Sequence, residues 1–172
     1  MKNFIAGTVN ATVLTAMTAT GAFHYGAASA EPQIIEDTDI KIVTDEELHC
    51  LQQNIYFEAG NQSTLGQVAV AWVTLNRVNS DRYPNSICSV VWQRKQFSWT
   101  HDGKSDTVPN NVLEQRAWED AGLVAEVALL DWAQNRQSPI EAATMFHADY
   151  VTPYWTTAYQ QVTQIDTHIF YQ

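Results

Sequence analysis

The segment STLGQVAVAWVTLNRV, residues 63–78, constrains the fold more strongly than any other part of the chain. Its apolar residues fall on nearly every side of a helix rather than along one stripe, and such a helix is stable only when other elements cover it. These residues are Leu65, Val68, Ala69, Trp72, Val73, Leu75 and Val78. We therefore predict a central, buried helix, capped by Ser63 or Thr64, around which the rest of the domain packs.

A first helix is predicted to begin after Thr44, because Thr44 and Glu47 form a capping-box pattern. Its apolar residues are spaced three and four apart, and the next position of that series is Glu58; the series is Leu48, Leu51 and Ile55. If the helix reaches Glu58, the carboxyl group lies among apolar neighbours, where burial favours the protonated form that a general acid needs. If the helix ends one residue earlier, Glu58 is solvated. Spacing alone leaves both possibilities open.

The second half of the chain predicts a short helix, a long helix and a small β element. Ser86 is the candidate cap of the short helix and Asn111 that of the long one, in which Gly122 allows a division into two. Segments 143–151 and 167–172 have strand-like composition and can pair as a hairpin or ribbon. At 172 residues with 45% hydrophobic content, the chain is predicted to be one mostly α, α+β domain with a small C-terminal β element.

Residues 1–30 have the features of an export signal. They contain one charged residue, Lys2, then a run rich in Ala, Thr and Val, and a closing AASA that fits a small-x-small cleavage site. We predict a signal peptide over residues 1–30, cut after Ala30, an acidic linker over 31–43 and a folded domain over 44–172. If the leader is not cut, it is a weak membrane anchor or a disordered segment. The expected location is exported, in the periplasm or outside the cell.

The chain is strongly acidic. Its formal net charge is −10, and all 19 acidic residues lie beyond residue 30. A surface of this charge repels phosphate groups, which argues against nucleic acid and against an anionic membrane surface as partners. We expect contact with a membrane only if the leader is retained, and we expect a monomer.

The two cysteines, Cys50 and Cys88, both lie beyond the leader. An exported chain meets an oxidising compartment, where an even pair of cysteines forms a disulfide more often than it stays reduced. We predict a bridge between Cys50 and Cys88 that ties the first helix to the third. The alternative is a pair of unrelated buried thiols.

Several common kinds of catalytic site have no support in the sequence. The histidines show no HxxxH or HxH spacing and the cysteines form no CxxC pair, so a zinc site would need ligands from distant parts of the chain. The GxSxG, P-loop and GxGxxG motifs are absent, which removes the support for serine-hydrolase, nucleotide and dinucleotide sites. We predict neither a metal nor a cofactor.

Two segments combine aromatic side chains with hydrogen-bonding groups. They are QFSWT, residues 96–100, and FHADYVTPYW, residues 146–155. Sugars carry hydroxyl groups at their rims and C–H bonds on their faces, so aromatic platforms beside amide and hydroxyl groups suit them. The two segments are therefore candidates for a carbohydrate-binding cleft. The alternative is ordinary core packing of the aromatic rings.

The order of these motifs resembles the cell-wall hydrolases of the spore-cortex-lytic type, the SleB/CwlJ-like family. The family pattern runs approximately YFEARGE, GQ.AVA.VVLNRV, FP..VC.VV.Q and QFS.T.DG. This chain has, in the same order, YFEAGNQ, GQVAVAWVTLNRV, YPNSICSVVWQ and QFSWTHDG. Further along, ATMFHADYVTPYW and HIFYQ are similar to later segments of the family. The resemblance covers about residues 48–171, nearly all of the predicted domain.

The resemblance implies a lysozyme-like, lytic-transglycosylase-like domain that cleaves the glycan strands of peptidoglycan between N-acetylmuramic acid and N-acetylglucosamine. The glutamate of the family's YFEA falls on Glu58, which implies that Glu58 is the catalytic acid and base. In that chemistry the muramic 6-hydroxyl closes a 1,6-anhydro ring, so no second carboxylate is required. We predict that the glycan cleft is lined by Gln67, Gln96, Ser98, Trp99, His147 and Tyr150.

Two alternatives stay open from the sequence. A hydrolase would deliver water with a second carboxyl group, at about 5–9.5 Å from the first, for which Asp102 and Asp149 are candidates. A non-catalytic wall-binding protein would tolerate the change from the family's EARGES to EAGNQS, which begins at Glu58. That change places GNQ at residues 60–62. It alters activity if the lost glutamate assists Glu58, and has no effect if it faces solvent.

Overall fold

The computed structural model describes residues 43–172, which contain four α-helices and one three-stranded antiparallel sheet. Short 3-10 helices at Ser98–His101 and Tyr154–Ala158 interrupt two of the loops. The predicted leader over 1–30, and the linker over 31–43 apart from Val43, lie outside the described residues. In chain order the elements are α1 (Asp45–Ala59), α2 (Thr64–Val78), α3 (Ile87–Val91), α4 (Val112–Ala133), β1 (Met145–Ala148), β2 (Gln161–Ile165) and β3 (His168–Tyr171).

Helix α2 is the buried centre of the helical part, as its sequence predicts. From Ala69 to Leu75 every residue is less than 5% exposed, and α1, α3 and α4 all pack against the helix. Its first turn is different, because Leu65 is 55% exposed and the buried part begins at Gly66. Ser63 is the cap, since its hydroxyl accepts a hydrogen bond from the Gly66 backbone amide at 3.2 Å. The prediction of a covered central helix is confirmed.

The other helix starts also lie where the sequence predicts them. Thr44, Ser86 and Asn111 each accept a hydrogen bond from the backbone amide three residues later, which satisfies one of the free amides of the first turn. Helix α4 is continuous from Val112 to Ala133, so the division that Gly122 allows does not occur. A Cβ at Gly122 would lie 2.8 Å from the side-chain nitrogen of Gln52 on α1. The glycine therefore leaves room for the Gln52 side chain, whose amide donates to the Trp118 carbonyl at 2.9 Å, and does not interrupt α4.

The sheet has the strand order β1-β3-β2, with both pairs antiparallel. The pairing of β1 with β3, in which Met145 lies opposite Tyr171, confirms the predicted pairing of segments 143–151 and 167–172. Strand β2 lies in the segment that the sequence analysis treated as a connection. Its sequence, QVTQI, is largely polar because one face of the strand is exposed to solvent. The predicted mostly helical domain with a small C-terminal β element is confirmed.

A disulfide joins Cys50 of α1 to Cys88 of α3, with 5.2 Å between their Cα atoms and a sequence separation of 38. The predicted pairing is confirmed. The carboxylate of Glu47, one turn before Cys50 on α1, accepts a hydrogen bond from the Cys88 backbone amide at 3.2 Å. The short helix α3 is thus fixed to α1 by one covalent bond and one hydrogen bond. In the described part of the chain, no helix is long and apolar enough to cross a membrane.

We expect the double substitution Cys50→Ala and Cys88→Ala to lower the free energy of unfolding by about 2–4 kcal/mol, because the open loop regains conformational entropy in the unfolded state. Urea denaturation of the oxidised protein and of the variant measures the difference. Reduced wild-type protein is the matched control and should unfold at the same urea concentration as the variant. Equal stability of oxidised and variant protein would show that the bridge does not stabilise the fold.

Candidate active site

A cleft of about 690 Å³ lies between the helical part and the sheet. One wall comes from the last turns of α1 and α2, and another from the loop that leads into the first 3-10 helix. The third wall is formed by β1, β3 and the segment that follows β1. The cleft is lined by polar, charged and aromatic side chains, which include Glu58, Arg77, Tyr83, Gln96, Ser98, His147, Tyr150, Trp155, Tyr159 and His168.

Glu58 reaches this cleft because α1 continues to Ala59, one residue beyond it. The possibility that the helix ends early and leaves Glu58 solvated is therefore wrong. Its side chain is partly buried, and burial raises the pKa of Glu58 from its usual 4.5 to about 7. The positive charge of Arg77 and a hydrogen bond from the Ser98 backbone act in the opposite direction. Near neutral pH the carboxyl group exists in both protonated and ionised forms, as an acid and base in turn requires.

Glu58 is the one carboxyl group that lines the cleft among the described residues. Both candidates for a second carboxylate lie elsewhere. Asp102 forms an ion pair with Lys104 at 3.5 Å, and Asp149 accepts a hydrogen bond from the Gln164 side chain at 3.4 Å. Neither belongs to the lining of the cleft. Within the described part of the chain, the cleft thus offers one acid and no second carboxylate to hold a water molecule opposite it.

Arg77 is the residue whose charge acts on Glu58, and it is not among the residues predicted for the cleft. It is the one charged residue of α2 and is 3% exposed. Its Nε donates a hydrogen bond to the Thr144 carbonyl at 2.9 Å. Burial lowers the pKa of Arg77 to about 10, so the guanidinium is still charged at pH 7. A lone charge in a helix that is apolar on nearly every side is the sequence signal that identifies this residue.

The sheet side of the cleft is aromatic. The His147 ring stacks on Tyr171 with 5.3 Å between centroids, and its Nε2 lies 3.0 Å from the Tyr171 hydroxyl. Trp155 packs edge-on against both rings. Burial lowers the pKa of His168, which favours the neutral ring. Residues 43–172 contain no group of three or more His, Cys, Asp or Glu side chains that could hold a metal ion.

Four of the six residues predicted to bind substrate line the cleft together with Glu58. They are Gln96, Ser98, His147 and Tyr150. Tyr150 is 82% exposed and therefore lies at the rim. The sequence reasoning missed Tyr83, Tyr159 and His168, which the fold brings to the same cleft from separate segments. No local pattern marks these three residues, because their position depends on the packing of the sheet.

Gln67 and Trp99, the other two residues predicted to bind substrate, do not belong to the lining of the cleft. Trp99 is 6% exposed, and its indole N–H donates to the Asn54 side-chain oxygen at 3.0 Å. The same ring stacks on Phe57 at 4.7 Å, so Trp99 is part of the core below the cleft. Gln67 is 6% exposed, and its amide donates to the Gln62 carbonyl at 3.4 Å. Both side chains are turned inward because their hydrogen-bonding partners are internal.

The GNQ segment at residues 60–62 connects α1 and α2 and is not part of the cleft lining. The side-chain oxygen of Gln62 accepts hydrogen bonds from the Thr167 amide at 3.4 Å and hydroxyl at 3.1 Å. Next to it, Asp166 accepts hydrogen bonds from the backbone and hydroxyl of Ser63 at 2.9 and 2.6 Å. The segment therefore fastens the junction of the two helices to the turn between β2 and β3. Its departure from the family pattern therefore affects contacts between the helix junction and the sheet, and not the lining of the cleft.

The sequence matches the family described as Cell Wall Hydrolase over residues 61–171. The match begins just after Glu58, so the role of that residue depends on the geometry of the cleft. The chain is 33% identical over 128 residues to the spore cortex-lytic enzyme of Halalkalibacterium halodurans and 32% identical over 127 residues to that of Bacillus subtilis. Each alignment covers 74% of this chain but only 35% and 38% of the respective relative. The chain spans less than half the length of these curated relatives.

Solved structures of two catalytic domains have the same fold. The catalytic domain of the germination-specific lytic transglycosylase SleB from Bacillus anthracis is 30% identical, with a TM-score of 0.57, and the match covers 76% of this chain and 97% of that one. The catalytic domain of the Bacillus cereus SleB protein is 29% identical, with a TM-score of 0.56 and coverage of 78% and 97%. The likeness confirms the expected lysozyme-like α+β domain.

The raised pKa of Glu58 makes a prediction for stability. Between pH 4.5 and 7 the unfolded chain releases the Glu58 proton while the native protein keeps it, so the free energy of unfolding falls as the pH rises through this range. Glu58→Gln removes that dependence. We expect the variant to gain about 1–3 kcal/mol relative to wild type between pH 4.5 and 8, after allowance for partial exposure of the carboxyl group.

Urea unfolding of both proteins across this pH range measures the difference. Glu126→Gln, at an exposed position of α4, is the control for the general effect of removing one negative charge. A stability difference between Glu58→Gln and wild type that stays constant with pH would mean that the Glu58 carboxyl group is as solvated in the folded protein as in the unfolded chain.

Proposed function

The chain belongs to the cell wall hydrolase family, and on that basis we propose that it cleaves the glycan strands of peptidoglycan as a lytic transglycosylase. The bond cut is the one between N-acetylmuramic acid and N-acetylglucosamine. The observation that carries this proposal is that Glu58 is the one carboxyl group of residues 43–172 that lines the cleft, and that burial keeps it partly protonated near pH 7. Residues 44–172 are the catalytic domain in this proposal.

In the first step Glu58 acts as the acid. Its proton passes to the glycosidic oxygen, the bond from that oxygen to C1 of the muramic acid breaks, and the N-acetylglucosamine side leaves as an alcohol. Partial burial favours this step because it raises the fraction of Glu58 that holds a proton. The ionised Glu58 that results lies beside the positive charge of Arg77 and the Ser98 backbone, both of which favour the charged form.

In the second step Glu58 acts as the base. The carboxylate takes the proton of the muramic 6-hydroxyl, whose oxygen bonds to C1 and closes a 1,6-anhydro ring. The glutamate ends the cycle protonated, and no water molecule is consumed. A cleft with one carboxyl group is sufficient for this route, whereas hydrolysis by the usual pair of carboxyl groups needs a second one.

Residues on both sides of Glu58 are proposed to hold the glycan. Gln96 and Ser98 offer hydrogen bonds from the helical side, and His147 and Tyr150 face them from the sheet side. Trp155 adds an aromatic surface suited to the C–H face of a sugar ring. The chain is proposed to act at the cell wall after export, which agrees with the disulfide, and as a monomer.

The non-catalytic alternative has less support. It was motivated by the GNQ segment at residues 60–62, which joins α1 and α2 to the sheet and does not line the cleft. Hydrolysis also has less support, because Asp102 and Asp149 lie outside the lining. Variants of these residues separate the three possibilities.

We expect Glu58→Gln to lower the release of soluble muropeptides from purified sacculi by about 10²–10⁴-fold, because the amide can neither donate nor accept the proton at the reacting oxygen. Chromatography of the released fragments against time measures the rate. Asp102→Asn and Asp149→Asn are matched controls, since each also replaces an acid by its amide, and both should retain the wild-type rate.

Wild-type release by Glu58→Gln would contradict the role of this residue. A large loss in Asp102→Asn or Asp149→Asn would favour a hydrolase with two carboxyl groups. Sacculus binding without release by any of the proteins, wild type included, would favour the non-catalytic alternative.

A further inference from the structure

Arg77 is a buried charged residue, and a function would account for the free energy that its burial costs. Arg77 is 3% exposed. The ion pairs of the described residues are Lys104 with Asp102 and Arg136 with Asp131, so no carboxylate of those residues lies within 4.0 Å of Arg77. Its Nη1 atom is buried and has no hydrogen-bond partner. A buried cation that lacks an ionic partner destabilises a fold, because the solvation it loses is not replaced.

The position of the guanidinium is nevertheless firmly fixed. Nε donates to the Thr144 carbonyl at 2.9 Å, just before β1. The charged carbon lies 4.9 Å from the centre of the Phe97 ring and 5.5 Å from that of Tyr83, within range of attraction to the ring faces. These contacts hold the charge at the wall of the cleft while leaving one of its nitrogen atoms without a partner. The unpartnered Nη1 can therefore donate a hydrogen bond to an anion that forms in only one part of the reaction cycle.

We propose that Arg77 is a positioning residue whose guanidinium pairs with Glu58 when Glu58 is ionised, between its action as an acid and its action as a base. This inference rests on the proposed function of Glu58. Both residues line the same cleft. In the protonated state Glu58 needs no counter-ion, whereas after proton transfer its carboxylate gains a partner in the free N–H of Nη1.

The role of Arg77 explains how one residue can act in both steps. Burial alone would hold the carboxyl group protonated and would oppose its return as a base. A fixed positive charge beside it stabilises the ionised form, so the two forms are close in free energy near neutral pH. The other titratable or charged groups that line the cleft are Tyr83, Lys95, His147, Tyr150, Tyr159 and His168. Arg77 is the one whose charge acts on Glu58.

The test is a titration of the Glu58 carboxyl carbon by NMR in protein labelled with ¹³C-glutamate, without substrate. The Glu58 signal is identified by its loss in Glu58→Gln. We expect Arg77→Met to raise the pKa of Glu58 by about 1 and Arg77→Lys, which keeps a positive charge, to raise it less. Arg82→Met is the matched control, because Arg82 also contacts Thr144 and the Tyr83 ring but lies outside the cleft. It should leave the pKa of Glu58 unchanged.

Wild-type protein gives a version of the test that does not depend on the folding of any Arg77 variant. In protein labelled with ¹⁵N-arginine, the Arg77 Nε–H signal should move with the same apparent pKa as the Glu58 carboxyl carbon. The movement should be absent in Glu58→Gln. A stationary Arg77 signal in wild type, or an unchanged pKa of Glu58 in folded Arg77→Met, would overturn the proposal.

Kinetics separate this proposal from the proposed function. On sacculi, Arg77→Met should lower kcat by about 10-fold or more with little change in KM, because the ionised state is destabilised after substrate has bound. The fall of its rate at high pH should move to higher pH, and Arg77→Lys should be less affected on both counts. A variant that lost only a structural contact would show neither displacement of the pH profile nor rescue by lysine. If wild type releases no glycan at all, the proposed function fails, and the titrations still decide the pairing.

Discussion

The burial of α2 from Ala69 to Leu75 is the constraint on which the rest of the structure depends. Because α1, α3 and α4 must cover this helix, its one charged residue, Arg77, is carried into the interior. The guanidinium lies beside the sheet, where it contacts the Thr144 carbonyl and two aromatic rings. The same packing directs the last turn of α1 to that place. The position of Glu58 is thus a consequence of how α2 is covered.

A buried polar cluster below the cleft keeps these elements in register. The Asn54 side chain donates to the Thr74 hydroxyl of α2 at 3.2 Å and accepts from the Trp99 indole at 3.0 Å. Trp99 in turn stacks on Phe57, the residue before Glu58. A satisfied polar network in a low-dielectric interior has few alternative arrangements. Glu58 therefore lies on a well-fixed part of α1, and its protonated and ionised forms differ mainly in charge.

The sequence predicts well what depends on near neighbours. The helix caps, the covered central helix and the pairing of Cys50 with Cys88 all follow from local patterns or from chemistry that two residues determine. Strand β2 was missed, because its polar sequence becomes a strand only by pairing with β3. Trp99, which was predicted to line the cleft, packs in the core, because an aromatic pattern does not reveal which side of a loop faces the core. The spacing of the apolar residues left the burial of Glu58 open, and the structure shows that the residue is partly buried. Its catalytic role stays a prediction.

In the proposed function, Glu58 is the one carboxyl group of the described residues in the cleft, and the enzyme cuts the glycan without using water. The most direct measurement is mass spectrometry of the fragments released from purified sacculi in water enriched in ¹⁸O. A lytic transglycosylase releases fragments that end in 1,6-anhydromuramic acid and contain no ¹⁸O, which is the expected result. Reducing ends that carry one ¹⁸O atom would contradict it, since they would require a water molecule to attack C1.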